Sequence, residues 1–151
     1  MKTAYIELNT TDQIKSLSQK NSLDPFVYKG IHIFPSTKVT SVSDILSKDF
    51  DYFILDMGVL TKYTAVEFSK CHKKFLVCDF CEWKKELLLK KIKELFELSF
   101  INKKGVIILK TYKNESTYPD FINRNLKSFP FIENPFHLSV TVMYALNILL
   151  L

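Results

Sequence analysis

Three continuous apolar runs constrain the fold of this chain more than any other feature of its sequence. They are Asp51–Met57 (DYFILDM), Lys74–Cys78 (KFLVC) and Gly105–Lys110 (GVIILK). Each run has the length of a β-strand, and unbroken rather than alternating apolar residues are typical of strands buried on both faces of a parallel sheet. We therefore predict a sheet in which these runs are interior strands.

The segments around these runs carry signals for further strands and for helices. Strands are predicted at Thr3–Leu8, Lys29–Phe34 and Phe129–Ile132, and helices after the capping pair Thr10/Gln13 and at Ser41–Ser47, Glu82–Phe100, Phe121–Leu126 and Phe136–Leu151. Strands thus alternate with helices, which favours an α/β fold with a mainly parallel, Rossmann-like sheet of about five or six strands and helices on both faces. A chain of 151 residues with 47% apolar residues has the size and apolar content of one domain, predicted as 1–151.

Charge and composition exclude some classes of function. The formal charge of +5 is carried by many Lys and a single Arg, and Arg is the residue that makes forked contacts with phosphate, so nucleic acid is not the expected partner. The opening MKTAYIE has neither an apolar stretch behind a basic start nor a small-residue cleavage site, which predicts a cytoplasmic protein with reduced cysteines. The most apolar stretch, Phe136–Leu151, is shorter than the ~20 residues of a spanning helix, so no membrane span is expected.

Asp56 ends the first apolar run and is the leading candidate for a functional residue. At the carboxyl end of a parallel strand, a carboxylate is placed to hold a Mg²⁺-bound water beside the phosphates of a nucleotide. The structural alternative is that Asp56 caps the turn after its strand. Glu7 and Asn9 end the first predicted strand and are expected at the same edge of the sheet.

Four segments, taken in order, resemble the later part of MinD/ParA-type P-loop ATPases (SIMIBI class), especially the divergent relatives found beside bacterial secretion, pilus and conjugation systems. The segments are IELN (6–9), DYFILDMG (51–58), EFSKCHKKFLVCDFCEW (67–83) and GVIILKTYKN (105–114). The resemblance implies a fold related to that of P-loop NTPases, with DYFILDMG as the Walker B strand and Asn114 in a base-contacting loop. It also matches Trp83, with Glu82, to a Glu-Trp pair of those relatives; the structural alternative is that Trp83 anchors the long helix against the sheet.

The most specific motif of that family is missing from these 151 residues. Glycine occurs only as Gly30, Gly58 and Gly105, so no Gly-rich loop with Lys and Ser/Thr can wrap a phosphate. In the resembled fold, the P-loop strand lies between the Walker B strand and the strand that here reads KFLVC. The resemblance therefore implies a gap in the sheet, which a protein partner, a second copy of the chain or an upstream segment would fill.

The resemblance, taken with the missing motif, implies a degenerate nucleotide-binding-type domain that is not expected to hydrolyse ATP. It also implies a binding or regulatory module of a bacterial secretion, conjugation or partitioning system, which would act through a protein partner or as a homodimer. No cofactor is expected, and Mg-nucleotide is the alternative ligand of the edge that Glu7, Asn9, Asp56 and Asn114 would form.

Cys71, His72, Cys78 and Cys81 are the candidates for a structural zinc, because Cys78 and Cys81 form a C-x-x-C pair. Their spacing departs from that of a zinc ribbon. A thiol at the end of a buried strand also behaves as a small apolar residue. The expectation is therefore that no metal is bound.

Three other functions fit parts of the pattern. A receiver-like module of the flavodoxin type would use Asp56 as phosphoacceptor, Glu7 as its acidic neighbour and Lys110 as its Lys. A small α/β enzyme would have its site at the carboxyl edge of the sheet, although no nucleophile and base can be nominated. A nucleic-acid surface would use Lys70, Lys73, Lys74, Lys84 and Lys85.

Overall fold

The computed structural model describes residues 1–9, 13–18, 22–61, 63–78, 81–99, 101, 105–110 and 118–129. The chain divides into two compact units, Met1–Lys70 and Cys71–Leu151, and each contains its own sheet. A mixed α/β structure with mainly parallel pairing is therefore confirmed. The strands of the described residues form one four-stranded and one three-stranded sheet, whereas a single sheet of five or six strands was expected. One domain over 1–151 stays a prediction.

The first unit contains four strands in the spatial order β2-β3-β1-β4. In chain order they are β1 (Thr3–Glu7), β2 (Phe26–Tyr28), β3 (Ile31–Phe34) and β4 (Tyr52–Asp56). β1 runs parallel to both β3 and β4, whereas β2 pairs antiparallel with β3. The helical elements are 3-10 helices at Gln13–Leu17 and Val39–Ser41, α1 (Val42–Leu46) and α2 (Thr64–Lys70).

A two-residue turn, Lys29-Gly30, joins β2 to β3. Both residues have positive φ, 48° and 83°. Two consecutive positive φ angles define a type I′ hairpin turn, whose twist matches that of the strands it connects. The sequence analysis predicted β3 but missed β2, because Lys occupies a turn position where Asn, Asp or Gly is usual.

One face of the first sheet is well covered. Ala4 and Ile6 of the central strand are fully buried on this face. The Phe50 ring packs edge-to-face against His32 and Phe53, with ring centroids 5.1 and 5.7 Å apart. His32 is therefore a packing residue.

The opposite face is open along β4. Tyr52 and Ile54 are 58% and 49% exposed, and they lie on the face opposite Phe53 because successive residues of a strand alternate in direction. β4 is also the terminal strand of its sheet. The prediction of an interior strand buried on both faces was therefore wrong here, since an apolar run records which faces are hydrophobic and not which elements cover them.

The second unit contains three parallel strands in the order β5-β6-β7. They are β5 (Lys74–Cys78), β6 (Val106–Lys110) and β7 (Leu126–Ser128), and the helical elements are a 3-10 helix at Glu82–Lys84, α3 (Lys85–Glu97) and α4 (Asp120–Asn123). Ile92, Phe96, Val106, Ile108 and Ile122 are each 4% exposed or less and form its apolar core.

The predictions for the end of the chain are confirmed only in part. The helix predicted at Phe121–Leu126 is present in shorter form as α4, and the following strand begins earlier than Phe129, at Leu126. Residues 130–132 of that predicted strand and the predicted helix Phe136–Leu151 lie outside the described residues. In the described part of the chain, no helix has the length and apolar character needed to cross a membrane.

Candidate functional site

Glu7 and Asp56 lie side by side at the carboxyl edge of the first sheet. They are Cα partners in the parallel pairing of β1 with β4. Asn9 follows β1 and lies at the same edge, against Gly58. Three of the four residues predicted for a nucleotide edge are thus together, and Asn114 lies outside the described residues.

The buried Glu7 carboxylate holds two loops in place. Glu7 is 1% exposed. Its Oε2 accepts a hydrogen bond of 3.1 Å from the Ser36 N–H, and its Oε1 accepts a longer one of 3.5 Å from the Ile14 N–H. The Glu7 carbonyl accepts a third, of 2.7 Å, from the Thr37 N–H. Because a buried carboxylate is costly to desolvate without such donors, these contacts tie the loop after β3 and the first 3-10 helix to β1.

The Asp56 carboxylate is also engaged by the protein itself. Oδ1 accepts a hydrogen bond of 2.9 Å from the Gly58 N–H, which is the turn-capping contact of an Asp that follows a strand. Oδ2 accepts one of 2.5 Å from the Tyr5 hydroxyl. Burial, this hydrogen bond and the charges of Asp56 and Glu7 raise the pKa of Tyr5 far above its ordinary value. Tyr5 is therefore a permanent donor to Asp56 at neutral pH.

Gly58 is required by the close approach of Asn9. Its φ is +55°, a conformation that L side chains rarely adopt. A Cβ atom at this position would lie 2.6 Å from the Asn9 Cβ, well inside van der Waals contact. The turn after β4 therefore closes over the end of β1 only because residue 58 has no side chain.

Sequence reasoning missed Tyr5 and Ser36 as members of this edge. A signal for Tyr5 was available, since it precedes Glu7 by two residues and lies on the same face of β1. Ser36 contributes its backbone N–H, at a φ of 46° that no local pattern predicts.

A groove of about 400 Å³ opens beside the loop after β3. Its lining includes Phe34, Thr37, Lys38, Asp44 and Lys48, whereas neither Glu7 nor Asp56 lines it. The Lys48 ammonium lies over the Phe34 ring, 5.3 Å from its centroid. The groove therefore carries charges of both signs and does not extend the carboxylate edge.

Comparison with known proteins identifies no relative. No family model, curated protein or solved structure matches this chain. The relation to MinD/ParA-type ATPases therefore stays a hypothesis that rests on the four sequence segments. The chemistry of the edge has to be inferred from its contacts.

The zinc candidates do not assemble into a metal site. Cys71, Cys78 and Cys81 are not in disulfides, and across the described residues no three His, Cys, Asp or Glu side chains come together as possible ligands. Burial raises the pKa of Cys78 to about 11, so this thiol stays protonated at neutral pH. Cys78 therefore has the environment of a small apolar residue, and His72 is exposed.

The lysines considered for nucleic-acid contact are partly engaged elsewhere. Lys70 Nζ lies 2.7 Å from Glu67 Oε1. Lys74 is 6% exposed and its Nζ donates to the Cys71 carbonyl. Lys85 Nζ lies over the Tyr118 ring, 5.0 Å from its centroid. Each of these three ammonium groups therefore has a partner within its own unit.

Trp83 is not the packing anchor that the structural alternative predicted. Its side chain is 83% exposed, and Leu87, four residues further along the chain, is 58% exposed. Large apolar side chains exposed in this way are typical of contact surfaces for other proteins.

The formal charge is distributed unequally between the two units. Residues 1–70 hold eight Lys and eight acidic residues, whereas residues 71–151 hold thirteen Lys or Arg and eight acidic residues. The formal charge of +5 thus belongs to the second stretch, and the first unit is formally neutral. The net charge of the first unit therefore provides no attraction for an anionic ligand to the edge formed by Glu7 and Asp56.

Proposed function

We propose that this chain is a degenerate nucleotide-binding-type domain that binds other proteins and does not hydrolyse nucleotides. Because of its resemblance to MinD/ParA-type ATPases, we expect it to act in a bacterial secretion, conjugation or partitioning system. The Walker B-like strand β4 is the last strand in the sheet order of the first unit. A P-loop-related fold that had lost its P-loop strand would have an unpaired strand edge at this position. This supports the hypothesis of a Rossmann-like, P-loop-related origin.

The hydrogen bonds of the Glu7 and Asp56 carboxylates are the main support for this proposal. All four oxygens of Glu7 and Asp56 already accept hydrogen bonds from the protein's own N–H and O–H groups. These contacts give both carboxylates a structural role at the carboxyl ends of β1 and β4, which supports a binding module over a catalytic edge. Beside them, Tyr52 and Ile54 expose apolar surface, which is the material of protein contacts.

Nucleotide binding and hydrolysis test this proposal directly. Thermal unfolding with and without millimolar Mg-ATP or Mg-ADP is expected to show no difference, since a ligand at a hundred times its dissociation constant would add about 2.7 kcal/mol of stability. ATP turnover is expected to be far below the ~1 s⁻¹ of ordinary enzymes. Turnover at that rate, lost in Asp56→Asn and kept in the exposed control Asp49→Asn, would overturn the proposal.

One observation favours a second candidate, the receiver-like module. Glu7 and Asp56 are register partners on neighbouring strands, as a phosphoacceptor Asp and its acidic neighbour have to be. Against it, the Tyr5 hydroxyl and the Gly58 N–H hold the Asp56 oxygens that would attack a phosphoryl group. Acetyl phosphate with Mg²⁺ separates the two functions: a labile adduct on Asp56 supports the receiver, and an unmodified chain supports the binding module.

A further inference from the structure

The outer edge of β4 carries unpaired backbone groups. The Tyr52 N–H donates to the Lys2 carbonyl at 3.3 Å, and the Asp56 carbonyl accepts from the Leu8 N–H at 2.8 Å, so both residues bond towards β1. In a strand, the backbone groups of alternate residues point to the same side. Phe53 and Leu55 therefore direct their N–H and C=O groups to the other side, where no strand of the described chain pairs with them.

β4 has few of the residues that protect an edge from another strand. Its sequence, YFILD, contains no Lys and no Pro, and its charged residue, Asp56, lies at the end of the strand. Natural sheets usually block exposed edges with such residues or with bulges, because an open edge is a template for pairing. The edge also continues into exposed apolar surface at Tyr52 and Ile54.

We propose that the partner at this edge is a second copy of the chain, paired antiparallel through β4 about a two-fold axis at Ile54. This register places Phe53 opposite Leu55 of the other copy, and Leu55 opposite its Phe53. Each of these two pairs exchanges both of its backbone hydrogen bonds, so every outward group of the edge finds a partner. The two Ile54 side chains meet on the open face, and the two four-stranded sheets become one continuous sheet.

The charge of β4 is compatible with pairing to a second copy of the chain. In the proposed register Asp56 lies opposite Tyr52 of the other copy and not opposite its Asp56, so no like charges face each other. Asp56 is the charged residue of β4, and its carboxylate accepts hydrogen bonds from Tyr5 and Gly58 within its own copy.

Sedimentation equilibrium of the full chain over a wide concentration range tests this inference. The expected species is a reversible dimer of twice 17.7 kDa. Ile54→Lys sets like charges opposite each other at the centre of the pair and is expected to weaken the dimer at least tenfold. Val66→Lys is the matched control, because Val66 on α2 is 45% exposed and the same substitution there leaves the β4 pair intact.

A cross-linking variant decides the question if Ile54→Lys fails to fold. Ile54→Cys, in a chain with Cys71→Ser and Cys81→Ser, is expected to form an intermolecular disulfide under mild oxidation, and Val66→Cys in the same background is not. A monomer at all concentrations, a dimer that Ile54→Lys leaves unchanged, or equal cross-linking of the two Cys variants would each overturn the inference.

The inference rests on the proposed binding function, but the two fail on different measurements. If the chain is monomeric and does not turn over ATP, the β4 dimer is wrong and the proposed binding function is unaffected. If the chain forms the β4 dimer and hydrolyses ATP, the interface is supported and the proposed binding function is wrong.

Discussion

The Tyr5 hydroxyl donates a hydrogen bond of 2.5 Å to Oδ2 of Asp56, across the two parallel strands β1 and β4. One oxygen of the leading candidate residue is thus engaged by a side chain of the neighbouring strand. Together with the Gly58 N–H bond to Oδ1, this contact favours the turn-capping alternative for Asp56.

Tyr5→Phe is expected to lower the free energy of unfolding at neutral pH by about 1 to 3 kcal/mol, because hydrogen bonds to a charged acceptor contribute that much. Urea unfolding measures this loss. Tyr52→Phe is the control, because Tyr52 is an exposed tyrosine of the adjacent strand. Equal losses in the two variants would show that the Tyr5 hydroxyl has no special role.

The same variant has a predicted pH dependence. The pKa of Tyr5 is raised in the folded protein, whereas an unfolded tyrosine titrates near 10. The stabilisation of the folded chain by the Tyr5 hydroxyl is therefore complete below about pH 10. It declines as the pH rises from about 10 towards the raised pKa of Tyr5. The stability difference between the natural chain and Tyr5→Phe should narrow between pH 9 and 11, and a constant difference would contradict the assignment.

Glu7→Gln is expected to destabilise the first unit by about 1 to 3 kcal/mol. The substitution turns one acceptor oxygen into an NH₂ group that faces a backbone N–H, from Ser36 or from Ile14, and leaves buried donors without a partner. Asp49→Asn is the control, since its carboxylate is 98% exposed and pairs only with Lys2, and it should change stability by less than about 0.5 kcal/mol. Similar effects in chemical denaturation would show that Glu7 does not hold the loops.

The strands were predictable from the sequence, but their neighbours were not. The apolar runs located β4, β5 and β6 to within a residue or two, because hydrophobicity and strand length are local properties. The exposure of Tyr52 and Ile54 on β4, and that of Trp83 in the 3-10 helix Glu82–Lys84, depend on which other elements pack against them. Neither is recorded in the residues themselves.

The candidate site, too, could be predicted from the sequence only in part. Glu7 and Asp56 could be placed at one edge because the carboxyl ends of parallel strands meet there. Two of their hydrogen-bond donors could not be named, because the backbone N–H groups of Ser36 and Ile14 belong to a loop and a 3-10 helix that only the fold brings to this edge.

Thiol reactivity should distinguish the three cysteines. Cys78 is 6% exposed and its pKa is raised to about 11, so little of it is thiolate at pH 8, whereas Cys71 and Cys81 are partly exposed. A disulfide reagent at pH 8 is expected to titrate two thiols quickly and the third only after unfolding in urea. Cys78→Ser should leave the fast phase unchanged. A fast phase of three thiols, or one reduced by Cys78→Ser, would contradict the burial of Cys78.

Gly58→Ala is expected to destabilise the chain more than Gly30→Ala. Both glycines have positive φ, so both substitutions carry the backbone strain of about 1 kcal/mol, but only at Gly58 does the new Cβ meet another atom, the Asn9 Cβ at 2.6 Å. The added steric penalty should appear as a larger loss in urea unfolding. Because the clash is with a Cβ atom, Asn9→Gly should recover part of it in the double variant, whereas Asn9→Ala should not. Additive effects of Asn9→Gly and Gly58→Ala would show that the two residues do not touch.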